Sequence, residues 1–102
     1  MPNASEITVE QILNHTSGIA DYVDPLTNQA LSNPALFLNE WTTDQHVGFL
    51  DGVEPFFDPG TDWRYSNTNY ILAGEVIEAV TGNSYGAEIR DRIIEPLNLE
   101  NT

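Results

Sequence analysis

Phe57-Asp58-Pro59-Gly60-Thr61-Asp62-Trp63-Arg64-Tyr65-Ser66-Asn67-Thr68-Asn69-Tyr70 is the stretch from which the rest of the chain is read. Asp-Pro-Gly sets proline's fixed φ one residue before a glycine that tolerates positive φ, the signature of a type II turn. Residues 61 to 65 then alternate, with Thr61, Trp63 and Tyr65 on one side of an extended piece and Asp62 and Arg64 on the other. After Asn67 the period becomes helical. Tyr70, Ala73, Val76, Ile77 and Val80 recur at helical spacing, Asn67 or Thr68 is the expected N-cap, and Gly82 stands where a C′ glycine belongs. A turn, a short extended piece and a helix over about 68 to 81 follow, with Tyr65 and Asn67 exposed at the junction. A phenol and a carboxamide on one rigid corner are chemically useful together.

Working outward, Thr8 with Gln11 makes a capping box, and Val9, Ile12 and Leu13 form a short apolar stripe that Gly18 is expected to stop. His15 has two readings, a catalytic one and a structural one in which it bonds a carbonyl or hydroxyl and holds the turn; the structural reading is preferred. Residues 19 to 33 lack clear periodicity and carry Asp24-Pro25, Asn28 and Asn33-Pro34, so they read as loop with at most a helical turn. Asn33-Pro34 opens a short helix to about Trp41, and Thr42 or Thr43 caps another to about Leu50, ended by Gly52. Phe37, Trp41, Phe49, Phe56 and Phe57 either pack or line a cleft, with packing the expected role for most. Gly74 inside the central helix costs about 1 kcal/mol relative to alanine, which points to close packing there. Ser84 caps the last helix, Tyr85, Ile89 and Ile93 form its stripe, Glu88 and Arg92 pair at i,i+4, and Pro96 stops it.

Three segments of this pattern resemble serine β-lactamases and D-Ala-D-Ala carboxypeptidases, in particular the class C-like branch that includes penicillin-binding esterases. They are residues 7 to 18, ending His15-Thr16-Ser17-Gly18; Pro59-Gly60-Thr61 with Tyr65-Ser66-Asn67 and the helix through Thr81-Gly82; and residues 94 to 102. The likeness is weakest over residues 23 to 52. It implies a mainly α fold of short helices and long loops, the helical region of that family without its α/β half. It also implies that Tyr65 is the general base or proton relay beside a serine nucleophile, and that Asn67 binds the substrate amide or orients a lysine. The substrate would be a β-lactam, a D-Ala-D-Ala peptide or a small ester, and the enzyme periplasmic or extracellular.

The family's nucleophile lies in Ser-x-x-Lys upstream of the tyrosine motif, and Lys-Thr-Gly or His-x-Gly lies downstream. This chain has no lysine; its 3 cations are Arg64, Arg90 and Arg92. A phenol acts as a base near neutrality only where cations stabilise the phenolate. The family's lysines do that, and alternation turns Arg64 away from Tyr65. His46-Val47-Gly48 spells His-x-Gly but precedes the tyrosine motif and lies in an expected helix. The chain is therefore expected to be an internal piece of the enzyme and inactive by itself. A non-catalytic helical binding module is the alternative from another class.

Other motifs have simpler readings. Gly82-Asn83-Ser84-Tyr85-Gly86 spells the nucleophile elbow of α/β-hydrolases, which needs a strand before it and a histidine after it. A helix stop and a helix cap account for the match. The two histidines stand far apart in sequence, and the aspartates after Phe57 fail the EF-hand template, which needs glycine where Trp63 stands. No metal and no cofactor is expected. Asn3-Ala4-Ser5 and Asn14-His15-Thr16 are glycosylation sequons by spelling.

Composition bounds the partners. At 102 residues the chain is one domain at most, with a modest core. Its 16 acidic and 3 basic residues give a net charge of −13, which disfavours nucleic acid and anionic lipid. That balance fits a saline setting or an acidic solvated face equally well. There is no apolar run of membrane-spanning length, no signal peptide and no cysteine. Helix faces such as Tyr85-Ile89-Ile93, left without an α/β half, would be covered by self-association into a homo-oligomer.

Overall fold

The computed structural model describes residues Met1 to Thr102, and its ordered elements are all helical. Helix α1 spans Val9–Leu13, α2 Val23–Ala30, a 3₁₀ turn Pro34–Leu38, α3 Thr43–Gly48, α4 Asn67–Thr81 and α5 Tyr85–Ile89, which runs on into a π-helical turn Arg90–Ile94. The mainly α architecture of short helices and long loops is as expected.

Local chemistry sets most of these limits. Thr8 and Gln11 form the predicted capping box on α1, and Thr42 with Gln45 forms a second on α3. Gly82 closes α4 in the left-handed region at φ 74°, its N–H donating to the Glu78 carbonyl. The Ser84 hydroxyl accepts from the Ala87 N–H to start α5. Asp58-Pro59-Gly60-Thr61 is the expected type II turn, with Gly60 at φ 80° and the Thr61 N–H donating to the Asp58 carbonyl at 3.1 Å.

Four local expectations are corrected. Residues 23 to 30, read as loop, form α2; Pro25 falls in its first turn, where a missing N–H breaks no helical bond. The helix expected to run to Trp41 is a 3₁₀ turn ending at Leu38, and Asn33 makes no side-chain cap. Helix α1 stops at Leu13, well before Gly18: His15 takes the left-handed position at φ 63°, and the Thr16 N–H reaches back to the Gln11 carbonyl. At the start of α4 the N-cap is Ser66, one residue before the pair expected, and its hydroxyl caps nothing.

Residues 15 to 18 and 56 to 64 run side by side in opposite directions. The N–H groups of Phe56, Gly60 and Arg64 donate to the carbonyls of Gly18, Thr16 and His15. Gly18, at φ 76°, is pressed so close to Phe57 that a Cβ there would lie 2.0 Å from the Phe57 carbonyl oxygen. Helix α4 packs across this seam against α1, α3 and α5. A small apolar cluster of Ile19, Ala20 and Leu50 lies beside it, flanked by Ile7, Val53, Phe56 and Leu72.

The most deeply buried side chains are polar: Ser66 and Thr68 at 0%, Asn69 at 1% and Ser17 at 2% exposure. All of their buried polar atoms are hydrogen-bonded, as burial in a poorly solvating medium demands. The molecule is flat. Its radius of gyration is 15.6 Å, against about 13 Å for a compact domain of this length. Its principal extents are 42 × 36 × 22 Å, and Val80, Tyr85, Ile93, Leu97 and Leu99 remain exposed on the α4–α5 side.

Candidate active site

The site sits where the extended piece meets α4. Tyr65 points outward and is 55% exposed, Ser66 turns inward, and Asn67 opens the helix. The Ser66 hydroxyl donates to the Ala20 carbonyl at 3.2 Å and Thr68 Oγ1 donates to the same oxygen at 2.8 Å. Thr68 Oγ1 also accepts from the Tyr22 N–H at 3.1 Å. This inward anchoring is what fixes Tyr65 and Asn67 on the outer side.

Tyr65 Oη donates to Asn67 Oδ1 at 3.3 Å. The Asn67 amide donates in turn to Asp21 Oδ2 at 2.8 Å, and the Asn67 backbone N–H donates to the same oxygen at 3.1 Å. Asp21 Oδ1 accepts from the Val23 N–H at 3.0 Å. One carboxylate thus serves the first turns of both α2 and α4, where helix dipoles favour negative charge.

His15 is the hub beneath the aromatics. Its Nδ1 accepts from the Ser66 N–H at 3.4 Å and from Asn69 Nδ2 at 3.1 Å. Asn69 Oδ1 accepts from the Ser17 hydroxyl at 2.6 Å, which sets the orientation of that amide. Around the imidazole stand Tyr65 at 4.5 Å, Tyr70 at 5.4 Å and Trp63, edge-on, at 6.2 Å between ring centroids. Trp63 and Tyr65 share a side, as their alternation requires. Through its Nδ1 bonds His15 holds the turn.

Arg64 lies on the other side, its guanidinium carbon 3.7 Å from the Phe56 ring centroid in a cation–π contact. The other two arginines belong to the π-helical turn, where Arg92 pairs with Glu88. Tyr22 meets His46 with the rings tilted and their centroids 4.5 Å apart, and its phenol is pushed above the ordinary range by burial first, then by the neighbouring Asp21 charge and by Tyr65. A broad cleft runs from Asn67 along α4, lined by Tyr22, Trp41, His46, Ile77 and Tyr85. Of the aromatics expected to pack, Phe49 meets Trp41 edge-on and Phe56 underlies Arg64, whereas Phe37 is exposed and Trp41 faces the cleft. Ser84, the serine of the elbow-like spelling, is a helix cap.

Tyr65, Asn67 and His15, singled out in the sequence, lie together in the structure, and Asp21 joins them without having been singled out. The signal for it was an aspartate two residues ahead of a helix, hidden because Pro25 argued against that helix.

The family model described as Beta-lactamase matches residues 2–102. The chain belongs to the beta-lactamase family. Among curated proteins it is 32% identical to penicillin-binding protein 4* of Bacillus subtilis and 36% identical to the protein flp of Staphylococcus aureus. Each match covers 94% of this chain but only 21% and 18% of those relatives. Among solved structures, a D-stereospecific amidohydrolase from Streptomyces superposes with a TM-score of 0.82 at 48% identity, covering 92% of this chain and 29% of that one. A D-amino acid amidase from Ochrobactrum anthropi gives 0.75 at 34% identity, covering 96% of this chain and 27% of its own. This beta-lactamase-like chain therefore corresponds to less than a third of the length of each of these relatives.

Proposed function

We propose that the chain is the Tyr-x-Asn-bearing part of a serine hydrolase that works by acyl transfer, and that without a serine–lysine partner it is inactive. The observation that carries this reading is the Tyr65–Asn67 pair, hydrogen-bonded at 3.3 Å on the exposed corner of a buried polar junction. In the reaction the serine oxygen bonds to the substrate carbonyl carbon, its proton passes through the Tyr65 hydroxyl to the leaving group, and the carbonyl–leaving-group bond breaks. Water then returns the serine and releases the acid. Asn67 binds the substrate amide or orients the lysine.

The substrate class is a β-lactam, a D-Ala-D-Ala peptide or a small ester, extended by the likeness to D-stereospecific amidohydrolases to amides of D-amino acids. Replacing the corresponding segment of the Streptomyces amidohydrolase by residues 1 to 102 is expected to preserve hydrolysis of a D-amino acid amide. The isolated chain should show none above background. A covalent penicillin adduct on the isolated chain, seen by mass spectrometry, would contradict the second point.

The exposed apolar side of α4 and α5 is proposed to be covered by self-association when the chain is alone. Light scattering should find dimers or larger species at high concentration. A clean monomer would refute this.

A further inference from the structure

Asn67 can act only if its carboxamide faces the right way round. Flipped, it would set Oδ1 against Asp21 Oδ2 at the present 2.8 Å, two acceptors with no proton between them. The carboxylate therefore permits one orientation, with Oδ1 toward the Tyr65 hydroxyl and the amide nitrogen toward Asp21. Asp21 is itself held, because Oδ1 is engaged by the Val23 N–H and Oδ2 by the Asn67 backbone. Tyr22 and Tyr65 are the neighbouring titratable side chains, and Arg64 is turned onto Phe56.

We propose that Asp21 is a positioning residue for the acyl-transfer site, its carboxylate locking the Asn67 carboxamide so that an acceptor oxygen is presented to Tyr65. This rests on the proposed function for its catalytic consequence, but the orientation itself does not. An asparagine at position 21 would be a poor substitute. It must turn an N–H toward either the Asn67 amide or the Val23 N–H, opposing donor to donor.

The test has two arms. In the 102-residue chain, NMR should find a through-hydrogen-bond coupling between the Asn67 side-chain nitrogen and the Asp21 carboxyl carbon. In Asp21→Asn the Asn67 amide protons should shift and exchange faster, while those of Asn69 in the neighbouring buried network stay unchanged. Where Asp21→Asn fails to fold, the coupling in the unmutated chain decides: its absence overturns the proposal. Asn67 signals identical in a folded Asp21→Asn chain also overturn it.

In the amidohydrolase carrying this segment, Asp21→Asn should lower kcat/KM about tenfold, the scale at which partners of an active side chain act. That loss should vanish in an Asn67→Ala background, because the two residues act in series. Equal losses in both backgrounds would make Asp21 merely structural. An inactive hybrid with the NMR arm intact would count against the proposed function and leave the locked orientation standing.

Discussion

The junction built from residues 14 to 22 and 56 to 70 and the arm formed by residues 85 to 102 are held in opposite ways. In the junction the deepest groups are hydroxyls and amides, paired with partners 46 to 54 residues away. In the arm the bonds are local, as in Arg92 to Glu88, and the apolar stripe stays in solvent. The junction is specific because each buried donor has one partner, and leaving any of them unpaired is costly. The arm is generic: it is a helix whose apolar stripe is left exposed. The proposed Tyr65–Asn67 pair stands in the rigid half, which is where a proton-transfer pair would have to be held.

Gly18→Ala should break the junction outright. The new Cβ would collide with the Phe57 backbone, and the position needs positive φ. A loss of more than about 4 kcal/mol is expected, enough to abolish cooperative thermal unfolding. A folded variant with an unchanged midpoint would mean that the seam can open freely.

Asn69→Ala should cost about 1–3 kcal/mol, because Ser17 and His15 each lose a buried partner. Ile93→Ala in the arm, half exposed, should stay within about 0.5 kcal/mol. Urea titrations of the two variants compare the regions directly, and equal losses would mean that junction and arm are held alike.

Extremes of pH should separate the halves. The raised Tyr22 phenol means that the folded state resists losing that proton. Its contribution is intact below the ordinary phenol range and is lost as pH rises through it, so the junction should weaken in alkali. Glu88 is lowered, chiefly by the Asn83 hydrogen bond and then by Arg92. Its contribution is intact above the ordinary carboxylate range and fades as pH falls, so the arm should fray first in acid. Hydrogen exchange resolved along the chain at both extremes checks the order, and the reverse order would contradict it.

What the sequence made legible follows the same divide. Thr8-Gln11, Thr42, Gly82, Ser84 and the Asp58-Pro59-Gly60 turn each act within a few residues, so their spelling was enough. The resemblance pointed to Tyr65 and Asn67 as the candidate pair. Asp21 was invisible because its partner lies 46 residues away, and Pro25 hid α2 although the first turn of a helix accepts proline. No pattern marks the inward turn of Ser66 or the left-handed His15, which are imposed by the neighbouring segment. The helical period of α4 was correct, yet its buried side chains are Thr68 and Asn69, while Tyr70 and Val80 of the expected apolar stripe are exposed. Patterning reads hydrophobicity and does not register a core built from hydrogen bonds.

The central claim is that Tyr65 relays the proton. In the amidohydrolase carrying residues 1 to 102, Tyr65→Phe removes only a hydroxyl from an exposed ring and should leave the fold intact. The rate of D-amino acid amide hydrolysis should fall by about 10²- to 10⁴-fold, the range for losing a positioned proton-transfer group. Tyr70→Phe is the matched comparison; it loses a bond to the Leu13 carbonyl, worth about 1 kcal/mol of stability, and should change the rate little. Equal rates for the two variants in an active hybrid would contradict the account and leave Tyr65 a stacked aromatic over His15.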